Sequence, residues 1–366
     1  MADELLKYQI ALTLIPGIGD VVGKKLIAYC GGVEAVFKEN RNALLKIPGI
    51  GNKTVNNILS QKVLLKAETE ISFIKKKNIQ PLFYTDNDYP ARLLNCEDGP
   101  LLLYYKGTAD LNQPRVIGFV GTRKATNEGR LICERFIDGL KTKDILVVSG
   151  LAYGIDSCAH KAALDAGLQT VGVLGHGLDR IYPTQNKKLA TTMLDNGGLV
   201  TEFMSKTMPD RENFPKRNRI VAGMCDAIVI VESAKKGGAL ITAGLANSYN
   251  RDVFAVPGRL NDEYSQGCNM LIKSNRAALA ESAADIAYIM GWDNLKVDVK
   301  KQRDLFLQLT EEQKLLFDLI NEAKEISVDK IVVRSALPVS KVAAALLTLE
   351  FEGLVMCLPG KLYKTY

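Results

Sequence analysis

Short apolar runs alternate with amphipathic stretches through the middle of the chain, from about residue 116 to residue 256. Each run is continuously apolar, as in strands that are buried on both faces, and ends in small or polar residues. The stretches between the runs have helical periodicity, and this regular alternation predicts an α/β fold with a doubly wound parallel sheet. The predicted strands are 116–120, 145–148, 170–174, 199–200, 227–231 and 252–256, and the predicted helices include 158–166, 186–196, 216–224 and 239–250.

The preceding segment, residues 67–115, is transitional. It contains a helical pattern at 68–76, a possible edge strand within 78–84 and an apolar run at 101–105. Because these elements lead directly into the alternating pattern, we place the sheet-containing domain at residues 67–292.

The N-terminal segment, residues 1–66, is predicted to form short helices around two similar turns. The first is Leu14–Gly19 and the second is Lys46–Gly51, both of the form Ile-Pro-Gly-Ile-Gly. Such a turn between two helices resembles the helix-hairpin-helix motif, in which glycines let backbone amides approach a nucleic-acid phosphate. A tight turn that only packs helices fits the pattern equally well. Lysines that could serve the first role are Lys24, Lys25 and Lys53.

The C-terminal segment is predicted to be a small separate domain. A charged linker at residues 293–304 precedes helical patterns at 311–320, 328–336 and 339–351 and a hairpin after residue 353. Three helices and a hairpin within residues 305–366 predict a winged-helix-like domain. Its third helix is almost entirely apolar between residues 341 and 347, which favours packing or a protein contact over base reading.

Composition narrows the functional classes only modestly. The formal net charge of +6 favours a polyanionic partner weakly, and a solvated basic face would give the same balance. The seven cysteines form no C-x-x-C pair and there are two histidines, so we predict no metal site, no disulfide framework and no cofactor. No secretion signal or apolar run of membrane-spanning length is present, so we expect a cytoplasmic protein with no membrane association.

The first candidate site follows the strand at residues 116–120. Gly121, Thr122 and Arg123 lie where a strand turns into a helix, a place where backbone N–H groups and the helix dipole favour an anion. Arg123 adds a planar charged fork for phosphate oxygens. No G-x-G-x-x-G or Walker lysine pattern is present, so the loop predicts a phosphate-binding rim of another kind. Polar residues that follow other strands, at 149–150, 201–202 and 232–233, are expected at the same edge of the sheet.

The second candidate site is the basic segment at residues 210–220. Pro215 suits the first position of a helix, which leaves Phe214 just outside it. Cations in the first turn oppose the helix dipole, so a bound anion would explain them, and Phe214 offers a face for base stacking. The cations are Arg211, Lys216, Arg217 and Arg219.

Internal ion pairs offer an alternative explanation for two of these arginines. Arg217 and Arg219 could pair with buried carboxylates, and Phe214 could belong to the core. We expect one of the two arginines, but not both, to be structural in this way. The candidate carboxylates are Asp156, Glu202 and Glu232.

Serine, histidine and aspartate occur together at residues 156–160, as in hydrolases. No G-x-S-x-G elbow is present, and Asp156 and His160 are one helical turn apart. The pattern favours a helix-capping aspartate that is hydrogen-bonded to His160.

Many spaced motifs together resemble the DNA-processing protein A (DprA/Smf) family over residues 70–290. Cys268 departs from the pattern, in which threonine is usual, and a packing change is expected there. The motifs are Val120–Arg123, Ser149–Asp156, Gly175–Asp179, Tyr182–Pro183, Thr201–Phe203, Phe214–Ile220, Gly237–Ala243 and Val256–Gly258.

The resemblance implies a Rossmann-like domain that binds incoming single-stranded DNA during natural transformation. It also implies protection of that strand, loading of the RecA recombinase, and a homodimer that hydrolyses no nucleotide. Lys161 is a weaker candidate, nominated by charge and position alone. The DNA-binding residues implied are Gly121, Thr122, Arg123, Arg211, Phe214, Lys216, Arg217 and Arg219.

Two other classes of function stay open. Nucleotide phosphoribohydrolases of the lysine-decarboxylase-like family have a similar sheet and a glycine-rich loop, which corresponds here to residues 237–245. The carboxylate needed for acid–base catalysis is replaced there by apolar residues. The third class is an interaction scaffold whose basic segment pairs internally.

Overall fold

The predicted parallel strands form the middle of a nine-stranded sheet in the computed structural model. The structure describes residues 2–60, 62–292, 309–352, 354–358 and 362–365, and the predicted linker at 293–304 lies outside them. These residues fall into two units, one within residues 2–292 and one within residues 309–365. The strands of the first unit are β1 Gln80–Phe83, β2 Leu102–Gly107, β3 Val116–Val120, β4 Leu146–Ser149, β5 Gln169–Val173, β6 Gly197–Thr201, β7 Ala227–Ile230, β8 Asp252–Ala255 and β9 Ala278–Leu279.

The strand order is β1-β2-β6-β5-β4-β3-β7-β8-β9. Strands β3 to β9 pair in parallel, which confirms the doubly wound arrangement, while β1 and β2 run antiparallel at one edge. From β3 the chain adds β4, β5 and β6 on one side and later β7, β8 and β9 on the other. The topological switch point therefore lies between β3 and β7, and a ligand is expected outside the carboxyl ends of these two strands.

Fourteen helices accompany this sheet in the described part of the first unit. They are α1 Ala2–Thr13, α2 Asp20–Cys30, α3 Val33–Lys38, α4 Arg41–Leu45, α5 Asn52–Leu59, α6 Leu64–Lys77, α7 Ala91–Leu94, α8 Asn127–Leu140, α9 Ile155–Asp165, α10 Lys187–Met193, α11 Asn213–Met224, α12 Gly238–Ser248, α13 Gln266–Lys273 and α14 Ala283–Ile289.

Helices cover both faces of the sheet because each strand is apolar on both sides. On one face Val116 and Val148 pack with α11 and α12, and on the other Ile117 and Val147 pack with α8, α9 and α14. Cys268, where the family pattern has threonine, is fully buried on the first of these faces. The two cores fix the strand ends, and with them the loops that line the switch point.

The two Ile-Pro-Gly-Ile-Gly turns form a symmetric pair of helical hairpins. Gly17 and Gly49 have the same positive φ of 85°, which explains a glycine at the third position of each turn. Lys25 Nζ donates to the Pro48 carbonyl oxygen at 2.7 Å, and Asn57 Nδ2 donates to the Pro16 carbonyl oxygen at 2.9 Å. Each hairpin thus holds the turn of the other.

The hairpins share a core with the antiparallel edge of the sheet. Buried residues of α1 to α6 pack with Phe83, Leu102 and Tyr104 from β1 and β2. The predicted boundary between residues 66 and 67 falls inside α6, a single helix that packs against α1. The N-terminal helices and the sheet therefore form one unit.

The second unit contains three helices and a three-stranded sheet of order β10-β12-β11. Val342, Leu346 and Leu349 of its third helix are buried in the core, while Leu347 is exposed. No single helix in the described ranges is long and apolar enough to span a membrane; the last two helices meet that test only as a pair with a sharp bend. The elements are α15 Glu311–Ala323, β10 Ile326–Ser327, α16 Val328–Ser335, α17 Val339–Phe351, β11 Val355–Leu358 and β12 Leu362–Thr365.

Candidate functional site

A cleft of about 560 Å³ lies at the switch point between β3 and β7. Three segments form most of its lining, namely the loop after β3, the start of α11, and the loop that leads from β7 into α12. Ala152, Asp156, Glu263 and Tyr264 complete it. Of the nominated residues, Gly121, Thr122, Arg123, Arg211, Phe214 and Arg217 line the cleft.

The loop after β3 is clamped from two sides. The Thr122 N–H donates to the Glu232 carbonyl oxygen at 2.8 Å, and the Glu232 carboxylate accepts from Thr126 N at 2.9 Å and Oγ1 at 2.5 Å. On the other side Gly154 has φ 80°, and a Cβ there would lie 2.1 Å from the Thr122 carbonyl oxygen. The clamp holds Arg123 at the rim of the cleft, where its side chain is exposed.

Helix α11 begins at Asn213, two residues before the predicted start at Pro215. The prediction that Phe214 lies outside the helix is therefore wrong. Proline is tolerated anywhere in the first turn, because the N–H groups there have no intrahelical acceptor. Phe214 is half-buried within that turn, and the Arg123 guanidinium lies over its ring, 5.0 Å from the centroid. Arg123 and Phe214 thus form one cation–π unit at the cleft.

Arg217 is buried beneath the cleft with only 5% of its surface exposed. Its guanidinium passes over Gly150, where a Cβ would lie 1.1 Å from Nη1, and approaches Asp156 Oδ2 at 3.7 Å. Burial lowers the pKa of Arg217, against the opposing effect of Asp156, and burial raises the pKa of Asp156, against that of Arg217. Within the described residues, Nε of Arg217 has no hydrogen-bond partner.

Arg219 points away from the cleft towards the N-terminal hairpins. Its guanidinium contacts Glu202 and the Asp98 carbonyl oxygen, and Nη2 lies 3.0 Å from Asp20 Oδ2. Asp20 also accepts from the Leu101 N–H at 2.8 Å. Burial raises the pKa of Glu202 to about 7, although Arg219 opposes this shift.

The expectation that only one of Arg217 and Arg219 is paired internally is wrong. Residues two positions apart on a helix point in nearly opposite directions. One arginine therefore faces Asp156 and the other faces Glu202, and both carboxylates are largely buried. Glu232 pairs with neither arginine, because its carboxylate is bonded to Thr126.

Two nominated lysines do not line the cleft. Lys216 and Lys161 are both exposed, on α11 and α9 respectively. Two further cations, Lys124 and Lys236, line the cleft although the sequence motifs did not nominate them. The ion pairs found among the described residues do not involve Arg123, Lys124, Arg211 or Lys236.

Asp156 does not cap α9, and it makes no hydrogen bond to His160. Gly154 occupies the cap position, and Asp156 accepts from the Ala152 N–H at 3.4 Å. The His160 ring is fully buried with Nδ1 2.7 Å from Thr170 Oγ1, which itself donates to the Val147 carbonyl oxygen. Nδ1 must therefore be the donor. Burial and the charge of Arg217 lower the pKa of His160 to about 3, so the ring is a neutral structural group.

Comparisons with known proteins agree over almost the whole chain. The family model for DNA recombination-mediator protein A matches residues 80–291, that for the DprA winged helix domain matches residues 307–361, and that for the SAM-like helix-hairpin-helix tandem matches residues 10–61. Protein Smf of Synechocystis sp. is 33% identical over the full length of both chains. DNA processing protein DprA of Streptococcus pneumoniae is 40% identical over 55% of this chain and 71% of its own.

Solved structures show the same similarity. DNA processing protein A from Streptococcus pneumoniae superposes with a TM-score of 0.65 at 32% identity, covering 79% of this chain and 97% of its own. DNA processing protein A from Helicobacter pylori has a TM-score of 0.54 at 28% identity, covering 59% and 96%. The Helicobacter pylori structure is described as showing a single-stranded DNA binding mode of that protein.

Proposed function

The chain belongs to the DNA recombination-mediator protein A family, and on that premise we propose that it binds single-stranded DNA in the cleft between β3 and β7. The observation that carries the proposal is the Arg123–Phe214 unit, an exposed cation that lies over an aromatic face within a basic cleft. Single strands are bound by this combination of a positively charged groove and aromatic stacking.

The cleft carries more positive charge than its internal ion pairs neutralise. Arg123, Lys124 and Arg211 lie there without ion-pair partners in the described ranges, beside the buried Arg217. Clustered cations at a helix N-terminus repel one another and oppose the dipole, and a bound phosphate removes both costs.

We propose that Arg123 leaves the Phe214 ring when a strand binds. The guanidinium would move to a backbone phosphate beside the Gly121–Arg123 loop, and a base would take its place on the ring. Arginine is suited to this exchange because it stacks on aromatic faces and forms bidentate contacts with phosphate. Stacking does not distinguish one base from another, so binding would be largely independent of sequence.

The other nominated residues take different roles in this account. Arg217 supplies a buried donor to the floor of the cleft, whereas Arg219 ties α11 to Asp20 at the start of α2. Lys216 and Lys161 are exposed outside the cleft, so they would contribute long-range attraction only.

We further propose, from membership of the family, that the protein acts in natural transformation, protects incoming single strands and loads RecA onto them in the cytoplasm. We propose that it forms a homodimer through the first unit, whose sheet has an exposed edge that a second copy could contact. β9 ends that edge with an exposed Leu279, and Tyr288 and Ile289 of the following helix are exposed beside it in sequence.

We propose binding without catalysis. Among the described residues, Asp156 and Glu263 are the carboxyls that line the cleft. Asp156 is buried and engaged by Arg217 and the Ala152 N–H, Glu263 is exposed to solvent, and the apolar start of α12 carries no acid or base. Incubation of pure protein with nucleoside monophosphates should release no free base. Turnover that co-purifies with the protein would favour the phosphoribohydrolase alternative.

Binding to labelled single- and double-stranded oligonucleotides of the same sequence, measured over a range of salt concentrations, tests the proposal. We expect tighter binding to the single strand and weaker binding as salt rises. Equal affinity for both forms would contradict a site built on base stacking.

A further inference from the structure

A second helix N-terminus opens on the same cleft. Helix α12 has eleven residues and begins at Gly238, after Gly237, with no side-chain cap and no acidic residue in its first turn. Its first N–H groups therefore have no acceptor within the helix. A Cβ built on Gly238 would meet nothing within 4 Å, so a larger side chain fits at this position.

The buried guanidinium of Arg217 points to a ligand independently. Its side chain is 6% exposed and lines this cleft, and Nε has no partner among the described residues. The nearest carboxylate, Asp156 Oδ2, lies 3.7 Å from Nη1, so it balances the charge of the guanidinium while Nε stays without a partner in the described part of the chain. A buried donor of this kind calls for an acceptor from the cleft.

We propose that the N-terminus of α12 is a second phosphate subsite of the bound strand. A backbone phosphate would accept from the Gly238 and Ala239 N–H groups, with Lys236 at the rim and Arg217 Nε beneath. Glu263, an exposed carboxylate that also lines the cleft, weakens this attraction without removing it. The proposal rests on the proposed function and extends it, because one cleft then holds two phosphates, one at Arg123 and one at α12.

A carboxylate placed at the first position of α12 tests this subsite. Gly238→Asp complements the helix dipole, so it should not weaken the fold, while its charge excludes a phosphate. Gly238→Asn has the same size without the charge. We expect Gly238→Asp to bind single-stranded DNA at least tenfold more weakly than Gly238→Asn, with no loss of thermal stability. Equal affinities for the two variants would overturn the subsite.

The salt dependence provides a second measurement with a matched control. Lys236→Ala should lower the slope of log affinity against log salt by about 0.7, the value per phosphate of a single strand. Lys235 is exposed and outside the cleft, so Lys235→Ala should keep the slope of the native protein. Equal slopes for the two variants would count against a phosphate at α12.

Arg123→Ala measured in parallel separates the two proposals. Arg123→Ala could lose affinity while Gly238→Asp and Gly238→Asn bind equally well. That result would contradict the α12 subsite and leave the proposed function intact. No effect of any of these variants would remove both.

Discussion

In the proposed site, Arg123 and Phe214 would divide the binding of a strand between charge and stacking. The guanidinium lies 5.0 Å from the ring centroid, so each residue holds the other in place while no strand is bound. A phosphate contact contributes through released counterions and depends on salt, whereas a stacked base contributes through contact area and does not. The two roles can therefore be separated by substitution.

Removal of the Phe214 ring should weaken binding without changing its salt dependence. Phe214→Ala is expected to cost about 1–3 kcal/mol of binding free energy, the range for one stacked base. Isothermal titration with an oligothymidine at several salt concentrations measures both quantities. A slope that falls along with affinity would show that Phe214 acts by placing cations instead of stacking a base.

His160 should make the fold sensitive to acid. Its pKa is about 3 in the folded protein against 6.5 for an ordinary histidine, so below pH 6.5 the unfolded chain binds a proton that the folded chain excludes. Stability therefore falls as the pH is lowered from about 6.5 towards 3, by about 2 kcal/mol at pH 5 from this group.

Chemical unfolding of the native protein and His160→Asn at pH 7 and pH 5 measures this contribution. Asparagine keeps a donor towards Thr170 and cannot be protonated in this range. The variant should lose less stability than the native protein over the interval. Equal losses would mean that the ring is protonated in the folded state.

At the residue scale the sequence identified the chemistry better than the direction of each side chain. The cations and the aromatic residue at 211–219 stand in one motif, so they could be nominated without a structure. Whether Arg217 and Arg219 pair internally depends on where Asp156, Glu202 and Asp20 lie after folding. That information comes from long-range packing, which a local pattern does not contain.

At the scale of elements, the loop after β3 depends on its contact with the start of α9. Gly154 combines a left-handed backbone with close approach to the Thr122 carbonyl oxygen, and both features require glycine. Gly167, at the other end of α9, has φ 75° with nothing within 4 Å of a Cβ. Substitutions at the two positions can therefore be compared to distinguish the effect of backbone strain from the effect of displacing the Gly121–Arg123 loop.

Gly154→Ala should destabilise the fold and weaken DNA binding, whereas Gly167→Ala should only destabilise it. Each substitution places an alanine at a positive φ, which costs at least about 1–2 kcal/mol. Thermal unfolding and oligonucleotide binding, with binding measured well below the melting temperature, test the pair. Similar DNA affinity for the two variants would show that the Gly121–Arg123 loop does not depend on its contact with Gly154.

The existence of the strands could be predicted because buried parallel strands are continuously apolar. The antiparallel pairing of β1 and β2 could not, since strand direction depends on the connection and on the hairpins packed against that edge. Helices α9 and α11 begin at Ile155 and Asn213, two or three residues before the starts that the pattern predicts. Glycine and polar residues at those starts read as loop, although the first turn of a helix tolerates them.

At the scale of the whole molecule, the residues that line the cleft between β3 and β7 all belong to the first unit. The switch point brings together loops after β3 and β7 that are more than a hundred residues apart in the chain. The second unit buries the apolar residues of α17 in its own core, including Val342 and Leu346. The exposed face of α17 carries Ala343, Ala344 and Leu347 beside Lys341, so it offers few of the polar side chains with which a winged helix reads DNA.

A fragment of residues 1–292 should therefore bind single-stranded DNA almost as tightly as the full chain and should still dimerise. It keeps α6 whole, which a cut after residue 66 would not. Light scattering well above micromolar concentration gives the mass, and oligonucleotide binding gives the affinity. A large loss of affinity would assign DNA contacts to residues 293–366, and a monomeric mass would contradict dimerisation through the first unit.

The most direct test of the cleft is the salt dependence of single-stranded DNA binding in Arg123→Ala. Arg130→Ala is a matched control, because Arg130 is exposed on α8 and does not line the cleft. Arg123→Ala should bind more weakly for every base sequence, and its slope of log affinity against log salt should fall by about 0.7, while Arg130→Ala keeps the native slope. A folded Arg123→Ala protein with native affinity and native slope would place the DNA site elsewhere.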